Sequence, residues 1–191
     1  MIILAGVCHH PRSDGTASIA ASDDRTPFAA VTCFRPEITI PVSSPATRQR
    51  VLALADDAIK TTNLIQAIRI DGTFSHVKTH TGMAQFPPYP PLTEATAGEP
   101  ITDLNDITGT LVGFRTPDYE QGISVAGCHL HFINEPRTRG VHALDSEIEH
   151  GEIRIRHLVR ASPDPAHNSE FLAANLSLDN ITKRIEQTEG G

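Results

Sequence analysis

The sequence lacks the features that mark several large classes of protein. No window approaches the roughly 18 continuous apolar residues of a membrane-spanning helix, and residues 1–6 lack the basic start and the length of a signal peptide. No run of lysine and arginine is long enough to follow a phosphate backbone, and the formal net charge is -7. We therefore expect a soluble, cytoplasmic protein that has neither a membrane nor a nucleic acid as a partner.

Cysteine is also scarce. Cys8, Cys33 and Cys128 are an odd number and show no CxxC spacing, which argues against a disulfide framework and favours reduced thiols in a cytosol. The sequence contains no glycine-rich phosphate loop and no internal repeat. A chain of 191 residues can bury roughly 70% of its unfolded surface, enough for one substantial core or two small cores that share an interface.

Histidine, in contrast, is abundant, and three of the ten histidines form a pattern. His129 and His131 are two residues apart, so on a strand they share one face with side chains about 7 Å apart. Cys128, between glycine and His129, then faces the other side. The polar segment 134–140 contains a proline and a glycine, which predicts a hairpin turn that returns His142 on the neighbouring strand.

Three converging imidazoles predict a metal site. Neutral nitrogen ligands suit Zn²⁺ first, with Fe, Mn, Co or Ni as alternatives, and three protein ligands leave positions open for water or substrate. Cys128 is a poor fourth ligand because strand alternation turns it away. The alternative is an ordinary strand that carries two solvated histidines.

The first hundred residues predict short strands and one helix. Val51, Ala55 and Ile59 recur at helical spacing, so we expect a helix over about 45–60 that packs on a sheet. A proline-rich segment at 86–92 and a polar stretch after it predict a boundary near residue 100. The predicted strands are 2–8, 26–34, 37–42 and a hairpin over 64–79 with its turn at Asp71 and Gly72.

The second half predicts an antiparallel β meander and a terminal helix that contains Leu178, Ile181 and Ile185. The fold class is therefore α+β and mostly β. Residues 1–100 are expected to form a mixed sheet with a packed helix, and residues 101–191 an antiparallel β domain that carries the three histidines. The predicted strands of this half are 110–114, 122–133, 141–149 and 152–159, with a turn at His150 and Gly151.

Six segments, in chain order, resemble the α-acetolactate decarboxylase family and cover nearly the whole sequence. The most specific are 127–132 (GCHLHF) and 140–145 (GVHALD). The others are 26–28 (TPF) with the strand after it, 67–74 (AIRIDGTF), 88–92 (PYPPL) and 109–117 (GTLVGFRTP).

This resemblance implies a homodimeric zinc enzyme that converts 2-acetolactate to acetoin and carbon dioxide, with the metal between an N-terminal sheet domain and a C-terminal β domain. His129, His131 and His142 match the three zinc ligands of the family. Glu186 matches an active-site glutamate, although the residues alone give no independent reason to select it. The substrate would be a small molecule, and no organic cofactor is implied.

Three positions depart from the family pattern. The family's active-site arginine is matched here by His80, and Val141 replaces a usual glycine. A further family glutamate lies directly ahead of the residue that aligns with Met1, so the chain is expected to be N-terminally truncated relative to the family. These departures predict that the chain is a less active carbon–carbon lyase than a complete member of the family.

Two alternatives to a working decarboxylase follow. One is a catalytically impaired relative that still binds the metal. The other is a cupin-type metalloprotein, because His129 and His131 followed by Glu135 partly match that pattern. The match to a cupin is incomplete, because the next histidine follows too closely along the sequence and the glycine expected after Glu135 is misplaced.

Overall fold

Strands dominate the described part of the chain. The computed structural model describes residues 1–26, 28–82, 100–121, 123–160 and 162. Within these ranges no helix is both long and apolar enough to cross a membrane. The elements are β1 (Ile2–Leu4), β2 (Val7–Pro11), β3 (Ala17–Ile19), β4 (Ile38–Val42), β5 (Ala46–Thr47), α1 (Arg48–Ala58), β6 (Ile65–His80), β7 (Ile101–Thr116), a short 3-10 helix (Asp118–Glu120), β8 (Gly127–Asn134) and β9 (Gly140–Leu158).

The larger sheet has six strands in the order β4-β9-β6-β7-β8, with β5 beside β9. The strand β8 also pairs with the first residues of β9, so β6, β7, β8 and β9 form a closed ring. On the same edge of β9, the residues that follow pair with β5 and then with β4. All pairs between described strands are antiparallel, where a mixed sheet was expected in the N-terminal half.

Helix α1 covers one face of this sheet. It begins after Thr47, whose hydroxyl oxygen accepts a hydrogen bond from the backbone N–H of Arg50 and so caps the helix. Val51 and Ala55 lie on its buried side and pack into the main core. The largest fully buried side chains of this core come from β6, β8 and β9: Ile68, Ile70, Phe74, Val77, Leu130, Phe132, Ile148, Ile153 and Ile155.

The strands β1, β2 and β3 form a small separate sheet. Its buried side chains Ile2 and Leu4 pack against Ile133 of β8, with Val112 of β7 beside them. Ile133 and His131 are two residues apart on β8 and therefore share a face. The small sheet thus packs on the sheet face that carries the histidines, opposite α1.

The predicted class, α+β and mostly β with separate sheets, is confirmed. The predicted helix and the strand near residues 37–42 are also confirmed, as α1 and β4. The division of the chain near residue 100 stays a prediction, although β6 and β7, on either side of it, belong to one sheet. The predicted terminal helix with Glu186 and the segment 88–92 lie outside the described residues.

Two predicted turns are wrong for one physical reason. The strand β6 continues through Gly72 and β9 continues through Gly151, where turns were expected. Gly72 pairs with Gly151 on one side and with Gly109 on the other. A Cβ added at Gly72 would meet the carbonyl oxygen of His150 at 2.5 Å. These glycines therefore permit close approach of adjacent strands and do not form turns.

Two further strand predictions are wrong. Residues 2–8 form a hairpin, because Ala5 and Gly6 have positive φ angles of 49° and 81° and reverse the chain between β1 and β2. Residues 28–34 form no strand, and Phe28 and Val31 on this segment are 64% and 65% exposed. The pattern in this segment is typical of a strand, but no described strand of the same chain pairs with it.

Ile155 offers a direct test of this core. It is fully buried and pairs with Ile38 on β4 and with Ile68 on β6. We expect Ile155→Ala to lower the free energy of unfolding by about 2–5 kcal/mol, because it leaves a cavity between three strands. Ile123→Ala, at a site that is 71% exposed, should change it by no more than about 0.5 kcal/mol. Denaturant unfolding measures both, and equal values would contradict the described core.

Candidate metal centre

The three histidines of the sequence pattern lie together on one face of the sheet. His131 on β8 and His142 on β9 are directly opposed across the hairpin, which confirms the predicted turn. The ring centroids of His129 and His131 are 4.9 Å apart, those of His129 and His142 4.4 Å, and those of His131 and His142 5.3 Å. One ligand atom from each residue lies within 4.8 Å of the others, so the group could hold a metal ion.

The backbone beneath His129 requires a glycine on the neighbouring strand. Gly113 of β7 is paired with Leu130, and a Cβ added at Gly113 would overlap the carbonyl oxygen of His129. Sequence reasoning did not single out Gly113. The available signal was an isolated glycine inside a predicted strand, which indicates close approach of another backbone.

Burial keeps His131 neutral. Burial, the largest cause, acts together with the neighbouring His129, the amino group of Met1 and His80 to lower the pKa of His131 to about 3. A neutral imidazole is the form that binds a metal, because its lone pair is not protonated. Ile2 at the start of β1 packs against Ile133, two residues from His131, so the start of β1 lies on the sheet face that carries the cluster.

Cys128 faces away from the cluster, as strand alternation predicts. Its side chain packs against the main core, and it is absent from the ligand group. Burial raises the pKa of the Cys128 thiol to about 11, so the thiolate that a metal needs is not formed at neutral pH. Its carbonyl oxygen accepts a hydrogen bond of 3.0 Å from the guanidinium of Arg48, which ties the start of α1 to β8.

His80, selected only through the family resemblance, lies beside the three-histidine group. It is the last residue of β6 and is directly opposite His142 on β9. Their ring centroids are 4.6 Å apart and the ring planes are nearly perpendicular, at 87°. His80 is not one of the three grouped ligands.

The remaining candidates have different outcomes. Glu135, the ligand that a cupin-type site would need, is an exposed residue after β8 and is not in the ligand group. The structure therefore gives no support to the cupin alternative. Glu186 lies outside the described residues, so its proposed role stays a prediction.

Comparison with known proteins agrees with this geometry. The family model described as alpha-acetolactate decarboxylase matches residues 1–178. The alpha-acetolactate decarboxylase of Klebsiella aerogenes is 38% identical over 189 residues, covering 99% of this chain and 73% of that protein. The corresponding protein of Bacillus subtilis strain 168 is 38% identical over 190 residues, covering 100% of this chain and 74% of that protein.

Solved structures show the same similarity. The crystal structure of alpha-acetolactate decarboxylase from Bacillus subtilis strain 168 has a TM-score of 0.95 and 38% identity, covering 98% of this chain and 80% of that chain. A Staphylococcus aureus protein of unknown function, described as similar to alpha-acetolactate decarboxylase, has a TM-score of 0.92 and 29% identity, covering 97% of this chain and 80% of that chain.

We expect the cluster to bind one divalent ion per chain. The double variant His129→Ala/His131→Ala should lose this ion, because it removes two of the three grouped ligands. Cys128→Ser should retain it, because Cys128 packs against the core. Elemental analysis of protein reloaded with zinc and then desalted measures all three proteins. Equal metal content in the parent and the double-histidine variant would contradict the site.

Proposed function

The chain belongs to the alpha-acetolactate decarboxylase family, and we propose that it uses zinc to convert 2-acetolactate to acetoin and carbon dioxide. The observation that carries this proposal is the convergence of His129, His131 and His142, within ligand distance of one another, in a chain of this family. Three nitrogen ligands suit Zn²⁺ and leave positions for a substrate. The reaction belongs to acetoin biosynthesis.

The reaction breaks the bond between the carboxylate carbon and the carbon that carries the hydroxyl group. The electron pair left on that carbon is delocalised onto the adjacent ketone oxygen, and a proton must then be added to the carbon. When bound by the three histidines, the metal supplies Lewis-acid polarisation of the substrate's oxygens. We propose Glu186 as the proton donor, on the basis of its match to the family's active-site glutamate.

His80 is the second proposed catalytic residue. Its place opposite His142 supports contact with a substrate that occupies the open side of the ligand group. An arginine at this position would hold substrate oxygens with a permanent charge and a bidentate pair of donors, whereas an imidazole offers a single donor. We infer that the chain binds and orients its substrate less well than a relative that has the arginine.

A second candidate function follows from the same substitution. If orientation by the missing arginine is indispensable, the chain is a catalytically impaired relative that binds the metal. Both candidates bind the metal through the three histidines. They differ only in whether His80 orients the substrate well enough for the reaction.

Activity separates these candidates. Losing one partner of a charge-assisted contact typically costs about 2–5 kcal/mol, roughly 30- to several-thousand-fold in rate. We therefore expect slow acetoin formation by the zinc-loaded parent and a rise in kcat/KM of at least about tenfold in His80→Arg. His76→Arg is a matched control on the same strand, because His76 pairs with Asp103 on the exposed surface and should not alter the rate.

A glutamate added ahead of Met1 extends this experiment. Ile2 packs against Ile133, two residues from His131, and we propose that a glutamate attached directly ahead of Met1 would lie beside the three histidines. We expect this extension to raise the rate of His80→Arg further, because both groups would act on one substrate. If the zinc-loaded combination is no faster than buffer, the decarboxylase proposal fails, and a metal-binding protein without this activity takes its place.

We also propose a homodimer formed through the N-terminal half. The support is a concentration of exposed apolar side chains in this region and a small sheet whose edge strand β1 is accessible for pairing. The exposed apolar residues are Ile3, Val7, Ile19, Phe28 and Val31.

We also propose that the protein is located in the cytoplasm. The free thiols of the chain support this reducing location.

Light scattering at micromolar concentration tests the dimer. We expect twice the 20.7 kDa mass of one chain. The variant Phe28→Lys/Val31→Lys should shift the mass towards a monomer, because it places two charges in the proposed interface. Ile123→Lys, at an exposed site outside the N-terminal half, should remain dimeric. A monomeric parent would contradict the proposal.

A further inference from the structure

The buried side chain of Asn134 joins the two ends of the turn between β8 and β9. Its Oδ1 accepts hydrogen bonds from the backbone N–H groups of Thr138 and Arg139, each 2.9 Å long. Its Nδ2 donates to the hydroxyl of Thr138 at 3.1 Å. The backbone N–H of Asn134 donates to the carbonyl of Arg139 at 2.9 Å. One residue therefore fixes both ends of the turn.

Arg137 at the tip of the turn has an uncommon backbone conformation. Its φ angle is 61°, in the left-handed region that residues with a Cβ seldom adopt. Its N–H donates to the carbonyl of Asn134 at 3.0 Å. Its guanidinium Nη1 donates to the hydroxyl of Thr110 on β7 at 3.3 Å. These contacts of Arg137 hold the turn in this conformation.

Neighbouring strands attach to the same turn. The N–H of Glu135 donates to the carbonyl of Thr108 on β7 at 2.9 Å. The N–H of Ala17 on β3 donates to the carbonyl of Thr138 at 2.7 Å. The turn therefore joins the small N-terminal sheet to the strands that carry the metal ligands.

Only two strand pairs separate this turn from the ligand pair of the metal centre. Ile133 pairs with Gly140, Phe132 with Val141, and His131 with His142. Because side chains alternate between the two faces of a sheet, a shift of one residue would move His142 to the opposite face from His131. The ligand group therefore exists only in this register, which the turn holds together with the pairing of β8 with β7 and of β9 with β6.

We propose that Asn134 is a positioning residue of the metal centre, which helps to hold the end of the β8–β9 pairing in the register in which His142 faces His131. Its side-chain hydrogen bonds run to Thr138 and Arg139 of the turn, so it acts through the turn. The proposal rests on metal binding by the three histidines, as proposed above, and is independent of whether the chain decarboxylates acetolactate.

Zinc affinity of the folded chain tests this role. Removing an outer partner that orients a ligand typically weakens metal binding by about 10- to 100-fold, so Asn134→Ala should raise the zinc Kd by this factor. Asn134→Asp should stay within about threefold of the parent, because its carboxylate still accepts both N–H groups. The exposed Asn105 of β7 provides the control, and Asn105→Ala should bind zinc like the parent.

A purely structural contribution gives a different result. It would lower the free energy of unfolding but leave the zinc Kd and the visible spectrum of the Co²⁺-loaded folded chain unchanged. That outcome in Asn134→Ala would overturn the proposal while the metal centre itself stands. Failure of the parent to bind zinc would instead overturn the metal centre and this role together.

Hydrogen exchange on the parent gives a test that does not require a variant to fold. A metal that holds His131 to His142 must stabilise the register, and by linkage the turn that helps to hold it. We expect the amide hydrogens of Thr138 and Arg139 to exchange more slowly in the zinc-loaded chain than in the metal-free chain. Equal exchange rates at these two amides would overturn the proposal.

Discussion

The pairing of β9 with its neighbours is the constraint on which the rest of the structure depends. One edge of β9 pairs first with β8 and then with β5 and β4, while β6 pairs along its other edge. His142 therefore lies between His131 on β8 and His80 on β6. The same pairing closes the ring of four strands and sets the face on which α1 packs. A ligand group and a hydrophobic core thus depend on one register, because side chains alternate along the strand.

Local turn signals failed where the sheet requires close approach between long strands. The pairs Asp71-Gly72 and His150-Gly151 resemble hairpin turns, yet Gly72, Gly109 and Gly151 lie opposite one another on adjacent strands. The carboxylate of Asp71, which would favour a turn by bonding to its own backbone, instead accepts hydrogen bonds from Arg69 and Thr110. Contacts from distant strands decide these positions, and such contacts cannot be predicted from neighbouring residues. The helix α1, whose apolar spacing is a local pattern, was predictable.

The residues of the metal centre also differ in whether local sequence could predict them. The pattern of His129 and His131 and the turn that returns His142 are all local, so the ligand group could be predicted from residue spacing alone. His80 reaches the cluster only because β6 pairs with β9, and the residues near His80 contain no signal of this pairing. The family resemblance identified His80, and the structure then gave its position at 4.6 Å from His142. Asn134 lies within the predicted turn, where an asparagine is an ordinary turn residue, but its three side-chain hydrogen bonds depend on the folded turn.

The composition of the cluster bears on how the substrate carboxylate would be held. In the described part of the chain, the ligand face is built from imidazoles, and burial keeps His131 neutral. A site of this kind offers a metal its preferred neutral nitrogen ligands, but it gives an anionic substrate little positive charge of its own. An arginine at position 80 would supply that charge from the protein, whereas His80 leaves the larger part of it to the bound metal. The metal would then serve two purposes, substrate binding and polarisation of the ketone. Under the proposed function, histidine in place of arginine at position 80 would affect the orientation of the substrate and leave the three-histidine group unchanged.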